Sequence, residues 1–158
     1  MRRVFRSFAA AVAVLAFSAT AALGEPRWSR GIVDPGDDVY VGSAQEDYGI
    51  SYILVGSVKT TPEGYAQVSS RFEYHSAESF NGFTFLSLLQ TYSVDCRNNR
   101  TRLSARRAYA RNNLAGASRD MGFPATWVDV EEGTLMETLV ELACDRAGIA
   151  MPNRPSRH

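Results

Sequence analysis

Residues 126–144 read Thr-Trp-Val-Asp-Val-Glu-Glu-Gly-Thr-Leu-Met-Glu-Thr-Leu-Val-Glu-Leu-Ala-Cys, and the apolar period changes midway. Thr126 to Val130 is β-like. After Glu131-Glu132 and Gly133-Thr134, apolar residues recur at helical spacing: Leu135, Leu139, Leu142 and Ala143, widened by Met136, Val140 and Cys144. The acids complement the positive end of a helix, Arg146 falls in its last turn and Gly148 stands where it should stop. The segment therefore predicts a short strand carrying a buried Trp127, then a helix whose apolar stripe packs on a sheet.

The sheet is foreshadowed upstream. Strand-like runs dense in Tyr, Phe, Val and Thr occupy Val39 to Val41, Gly49 to Val58, Tyr65 to Tyr74 and Gly82 to Asp95. Lys59 to Gly64 carries Pro62 and Gly64 at turn spacing, and His75 to Asn81 reads as a short polar break. No connection is long enough for a parallel crossover, so antiparallel order follows. In Tyr65 to Tyr74 one parity is dry (Ala66, Val68, Phe72, Tyr74, with Ser70 between), the other wet (Gln67, Ser69, Arg71, Glu73). The first half of Gly82 to Asp95 is apolar on both parities, as in a strand that bends or is covered on both sides.

Arg100 to Arg111 alternates as a strand too, with Thr101, Leu103, Ala105 and Tyr109 inward and Arg100, Arg102, Ser104 and Arg106 outward. Arg107 and Arg111 break that scheme, and a helix over the same residues stays open. The reading is α+β, with one domain over 39–148. An exposed, turn-rich lead-in occupies 25–38, and a flexible tail occupies 149–158.

Arg2, Arg3 and Arg6 precede an uncharged run, Phe8 to Ala22, and Ala22 and Gly24 are small residues before Glu25. This is the pattern of a signal peptide over 1–24, cleaved near Gly24/Glu25, and it predicts an exported chain, periplasmic or extracellular. No cysteine lies near the cut, so no lipid anchor is expected. Removing three arginines leaves 17 − 3 = 14 basic residues against 17 acidic ones, a net charge of about minus three. That balance argues against a dedicated nucleic-acid or anionic-membrane binder. Cys96 and Cys144 are the only cysteines. In an oxidising compartment they form one disulfide, stapling a strand end to the last helix.

The order of features resembles the surface-adhesin protein E family of exported bacterial proteins. The residues that carry the resemblance are Asp95-Cys96, the basic stretch with Arg100 and Arg102, Tyr109, Trp127-Val128-Asp129-Val130, Gly133-Thr134, Leu139 and Cys144, together with the early Asp38-Val39-Tyr40-Val41. Gly42 stands where the family often has an acid, Glu132 where proline is common, and Thr134 replaces serine. The resemblance implies a curved antiparallel sheet, a half-barrel, with a C-terminal helix on one face and a disulfide joining helix to strand. It implies no catalytic residue and no cofactor.

Residue by residue, chemistry is sparse. His75 reads as a solvent-facing loop residue, since the only other histidine is His158 in the tail. Ser87 and Ser93 lack His and Asp partners for nucleophilic catalysis. Glu131, Glu132, Glu137 and Glu141 read as charges on a helix surface. No catalytic, cofactor or metal residues are expected.

Arg97, Arg100, Arg102, Arg106, Arg107 and Arg111 form the one stretch suggestive of a partner. The outward set Arg100, Arg102 and Arg106 is the candidate contact for a protein or an anionic glycan, because the guanidinium fork holds carboxylate, sulfate or phosphate oxygens in pairs. The expected function is a non-enzymatic binding module. The alternatives are a structural periplasmic or envelope-assembly protein and, less well supported, a periplasmic hydrolase.

Overall fold

The computed structural model describes residues 27–44 and 48–152; the signal-peptide reading of 1–24 lies outside them. A 3-10 turn (Arg27–Ser29) leads into six strands: β1 (Val39–Ala44), β2 (Gly49–Thr60), β3 (Ala66–Phe80), β4 (Phe83–Asp95), β5 (Arg100–Arg111) and β6 (Ala115–Asp120). The two-residue β7 (Val128–Asp129) and helix α1 (Leu135–Ala147) follow. All pairings are antiparallel and sequential, β1 to β6, with β7 on the same edge of β5 that β6 uses further along. The sheet is open, the half-barrel implied by the resemblance.

The hairpin at Thr61–Tyr65 forms as read, with Thr61 N–H donating to the Tyr65 carbonyl at 2.8 Å and Gly64 at φ 81°. The break read at His75 to Asn81 is not there. β3 runs on to Phe80, and the turn is the Asn81-Gly82 pair with φ 48° and 75°, the mirror-image geometry that a two-residue hairpin demands. A bulge absorbs the extra length, since Glu73 pairs Ser87 but Glu78 pairs Phe85. Of the two readings of Arg100 to Arg111, the strand is correct, and β6 was not anticipated.

The sheet has two differently covered faces. On one, Ile53, Ala66, Val68, Val94 and Cys96 meet Leu139, Val140, Ala143 and Cys144 of α1. The dry parity of β3 is thus the helix face. The Cys96–Cys144 disulfide joins helix to sheet there, with Cα atoms 5.8 Å apart. Leu135 departs from the expected stripe and is exposed. Thr134 caps the helix, its hydroxyl accepting from Glu137 N–H at 3.3 Å while Glu137 Oε2 accepts from Gly133 N–H at 2.7 Å, a capping box. A second cluster on the same sheet gathers Tyr74, Phe85, Leu88, Ala108 and Met121.

The opposite face carries the wet parity, yet Arg71 and Glu73 on it are buried. Residues 28–38 cross this face as a strap, burying Ser29 completely and packing Val33 and Trp28 on Ile50 and Tyr52. The lead-in segment is therefore not simply exposed. Its turns are polar because they bond to the sheet, and its few apolar residues cover the sheet. The tail also begins by packing, since Ile149 and Met151 rest against the helix core, while 153–158 lie outside the described residues.

Candidate functional site

Arg100 and Arg102 project from the start of β5 on the strap face, opposite Asp95 and Ser93 of β4. The three arginines of the sequence reading do not share this face. Thr91 pairs with Ala105 but Tyr92 pairs with Leu103, so Ser104 is an extra residue in β5 and every later side chain changes sides. Arg106 is turned to the helix face beside Tyr74 and Tyr92. Burial pushes the Tyr74 phenol up to about 12, and the Arg106 charge opposes that shift. Arg107 pairs in two contacts with Asp120, at 2.6 and 3.0 Å.

Arg100 and Arg102 meet at an aromatic residue instead. Their guanidinium carbons lie 5.2 and 4.8 Å from the centroid of the Trp127 ring, which also contacts the Tyr65 ring at 5.0 Å. Trp127 is partly exposed and just outside β7, so its expected burial in a strand is corrected. The reason is pairing: β7 bonds to β5 only through Arg100–Asp129 and Thr101–Val128, leaving Trp127 at the sheet's rim. Attraction of a cation to the ring face contributes about 0.5–1 kcal/mol at such a site.

The two arginines differ in freedom. Arg100 Nη2 donates to Asp95 Oδ2 at 2.8 Å, and Asn98 donates to the same oxygen through Nδ2 at 2.8 Å. Burial by itself raises the Asp95 pKa, but these hydrogen bonds outweigh it and hold the carboxyl below its usual range. Arg102 enters no ion pair among the described residues. Beyond it on the same face a row of hydroxyls crosses the strands, Ser69 to Thr91 at 3.0 Å and Ser93 to Ser104 at 3.2 Å.

Sequence reasoning missed the buried polar node under the strap. Arg71 Nη1 lies 3.4 Å from Glu73 Oε1, its Nε 3.0 Å from Asp38 Oδ2, and its Nη2 donates to the Asp34 carbonyl. Its guanidinium carbon sits 4.6 Å over the Tyr52 ring. Glu73 accepts from Asn113 N–H at 3.1 and 3.0 Å and from Asn112 Nδ2 at 3.0 Å. Burial raises its pKa despite those donors. Asn113 ties the node to the strap by donating to the Ile32 carbonyl and accepting from Asp34 N–H, both at 2.8 Å. Every charge here is engaged, and the node acts as an anchor. Asn113 itself has φ 60°, a left-handed turn conformation that asparagine tolerates, and this was the only local signal.

Among the described residues no group of three or more His, Cys, Asp or Glu is placed to hold a metal ion, and no helix is long and apolar enough to cross a membrane. The model of the family described as surface-adhesin protein E matches residues 39–145, about two thirds of the chain. The chain belongs to the surface-adhesin protein E family. In this surface-adhesin E domain the matched span opens at β1 and closes within α1, one residue past Cys144. It thus contains both halves of the disulfide and the Trp127 rim. The family is that of a surface adhesin, which speaks for an exported or surface protein. No curated protein matches the chain.

Proposed function

We propose that this surface-adhesin E domain is exported and works as a non-enzymatic binding module, with Arg102 and Trp127 at its contact surface and Arg100 bracing them. The Arg102–Trp127 stack at 4.8 Å carries this reading, because it holds a cation that enters no ion pair among the described residues and a partly exposed indole together at the rim of a hydroxyl-lined face. An indole stacks on apolar faces of a partner, and a guanidinium grips its carboxylate or sulfate oxygens. A protein or an anionic glycan offers such a combination. Arg106 has no part in this surface, since the bulge at Ser104 sends it to the other face.

A crosslinked pull-down from intact cells and culture medium identifies the neighbour. Arg102→Ser should leave the melting curve nearly unchanged and weaken capture, and capture by the unaltered protein should fall as salt rises. Unchanged affinity of the variant at low salt refutes the contact surface and favours a structural envelope role. N-terminal sequencing of exported protein should begin at Glu25, and recovery only in the cytosol with Met1 intact would end the export reading.

A further inference from the structure

On the strap face, cross-strand pairing sets Lys59 of β2, Gln67 of β3, Ser93 of β4 and Arg102 of β5 in one row, with Trp127 at its Arg102 end. Residues directly opposite in a ladder point to the same face, so the row has a cation at each end and neutral hydrogen-bonding groups between. Its length is three strand spacings, about 14 Å. Hydroxyls widen it on one side. Ser69 pairs with Thr91, and Ser104, the extra residue of β5, donates to the Thr91 carbonyl at 3.1 Å and lies 3.2 Å from Ser93 Oγ. A hydroxyl donates once and accepts twice, so each of these oxygens keeps a lone pair for a guest. Lys59 is exposed, and Gln67, Ser69, Thr91 and Ser104 are half-buried.

The charges of this face leave the two ends of the row open. Lys59 and Arg102 enter no ion pair among the described residues, whereas Arg100 is held by Asp95 with Asp129 opposite it, and Arg107 is held by Asp120. The acids of the strap, Asp34, Asp37 and Asp38, gather by Arg71, four residues further along β3 than Gln67. Glu63, exposed on the Thr61–Tyr65 hairpin, is the acid that competes for Arg102: hydrogen bonds from its own backbone N–H and from Thr61 hold its carboxyl below the usual range, and the Arg102 charge adds to them. The core of a protein interface is apolar and depleted of serine, but the middle of this surface is Gln67, Ser69, Thr91, Ser93 and Ser104. Such a floor matches a chain rich in hydroxyls, and the spare cations call for anionic groups along it. We infer, granting the Arg102–Trp127 contact surface, that the row binds a linear acidic glycan, its carboxylate or sulfate groups held by Lys59 and Arg102 and its hydroxyls by the serine and threonine floor between them. The apolar face of a sugar ring rests against the exposed part of Trp127.

The test uses the mature protein and four labelled probes: a hyaluronan hexasaccharide, which carries carboxylates; a heparin hexasaccharide, which also carries sulfates; neutral maltohexaose; and a hexaglutamate peptide, acidic but without sugar hydroxyls. Fluorescence anisotropy at low salt should show an acidic hexasaccharide binding at least about tenfold tighter than either control, and weakening as salt rises. Hyaluronan binding assigns the anion as carboxylate, and binding by heparin alone assigns it as sulfate. Lys59→Ser, at an exposed position, and Thr91→Val, which removes one hydroxyl, should keep the melting temperature and weaken that binding severalfold. Glu63→Gln should strengthen it. Hexaglutamate binding as tightly as the glycans, maltohexaose doing so, unchanged affinity in Lys59→Ser, or no glycan binding at millimolar concentration each overturn the inference. Arg102→Ser separates it from the contact surface: cellular capture that depends on Arg102 without any glycan affinity overturns the glycan alone, whereas glycan affinity and capture both indifferent to Arg102 overturn the two together.

Discussion

Arg71 and Glu73 lie two residues apart on β3, point to the same face and meet at 3.4 Å, Nη1 to Oε1, with both side chains almost wholly out of solvent. Removing one member of a buried pair leaves the other charge unpaired, at about 3 to 5 kcal/mol. Arg71→Met and Glu73→Gln should each destabilise on that scale in urea denaturation, and the double variant should lose clearly less than the sum. Additive losses would mean that the two residues are held independently, by Asp38 and Asn113 respectively.

Two buried carboxyls should give pH effects of opposite sign. The Glu73 pKa is raised above 4.5 by burial, so its contribution is fully present below about 4.5 and is lost as pH rises through its folded value. Asp95 is lowered from 3.8, so its contribution is present above that value and is lost as pH falls through its folded value. Urea midpoints across pH should show Asp95→Asn less stable than the unaltered protein at pH 7 and converging with it in strong acid. Glu73→Gln should flatten the loss between pH 4.5 and neutrality. A deficit of Asp95→Asn that persists undiminished at low pH would count against its hydrogen-bonded, ionised state.

The Cys96–Cys144 bridge closes 48 residues of separation and is buried at both ends. Loop closure of that length corresponds to about 4 kcal/mol in the chain-entropy view. Cys144→Ser in a Cys96→Ser background should lower stability on that order, and mass analysis of unreduced exported protein should find no free thiol.

Leu139 is 4% exposed under α1, whereas Glu137 serves the helix start. Leu139→Ala should cost about 2 to 5 kcal/mol. Glu137→Ala, which removes one arm of the capping box, should cost nearer 1 kcal/mol. Similar small losses from both would mean that the helix does not depend on its apolar stripe.

What the sequence by itself determined is what neighbours along the chain settle. The period of 135–144, its acidic start and Gly148 specify α1, the only two cysteines, read together with an N-terminus patterned for export, specify one bridge, and short polar connections specify antiparallel order. The turn at Asn81-Gly82 escapes the sequence reading, which expects a longer polar break over His75 to Asn81, although that dipeptide is one that a two-residue hairpin with two positive φ values favours. The tertiary structure alone decided which side of the sheet each arginine occupies, since the extra residue at Ser104 exists only relative to its pairing with β4. It alone decided that Arg71 and Glu73 are buried, because the strap that covers them is held to Asn113 across 79 residues of sequence. The exposure of Trp127 was decided the same way, by a two-residue strand that stops short of it. A period of two reports that a strand has two faces, but what lies against each face is a long-range contact, and no local spacing encodes it.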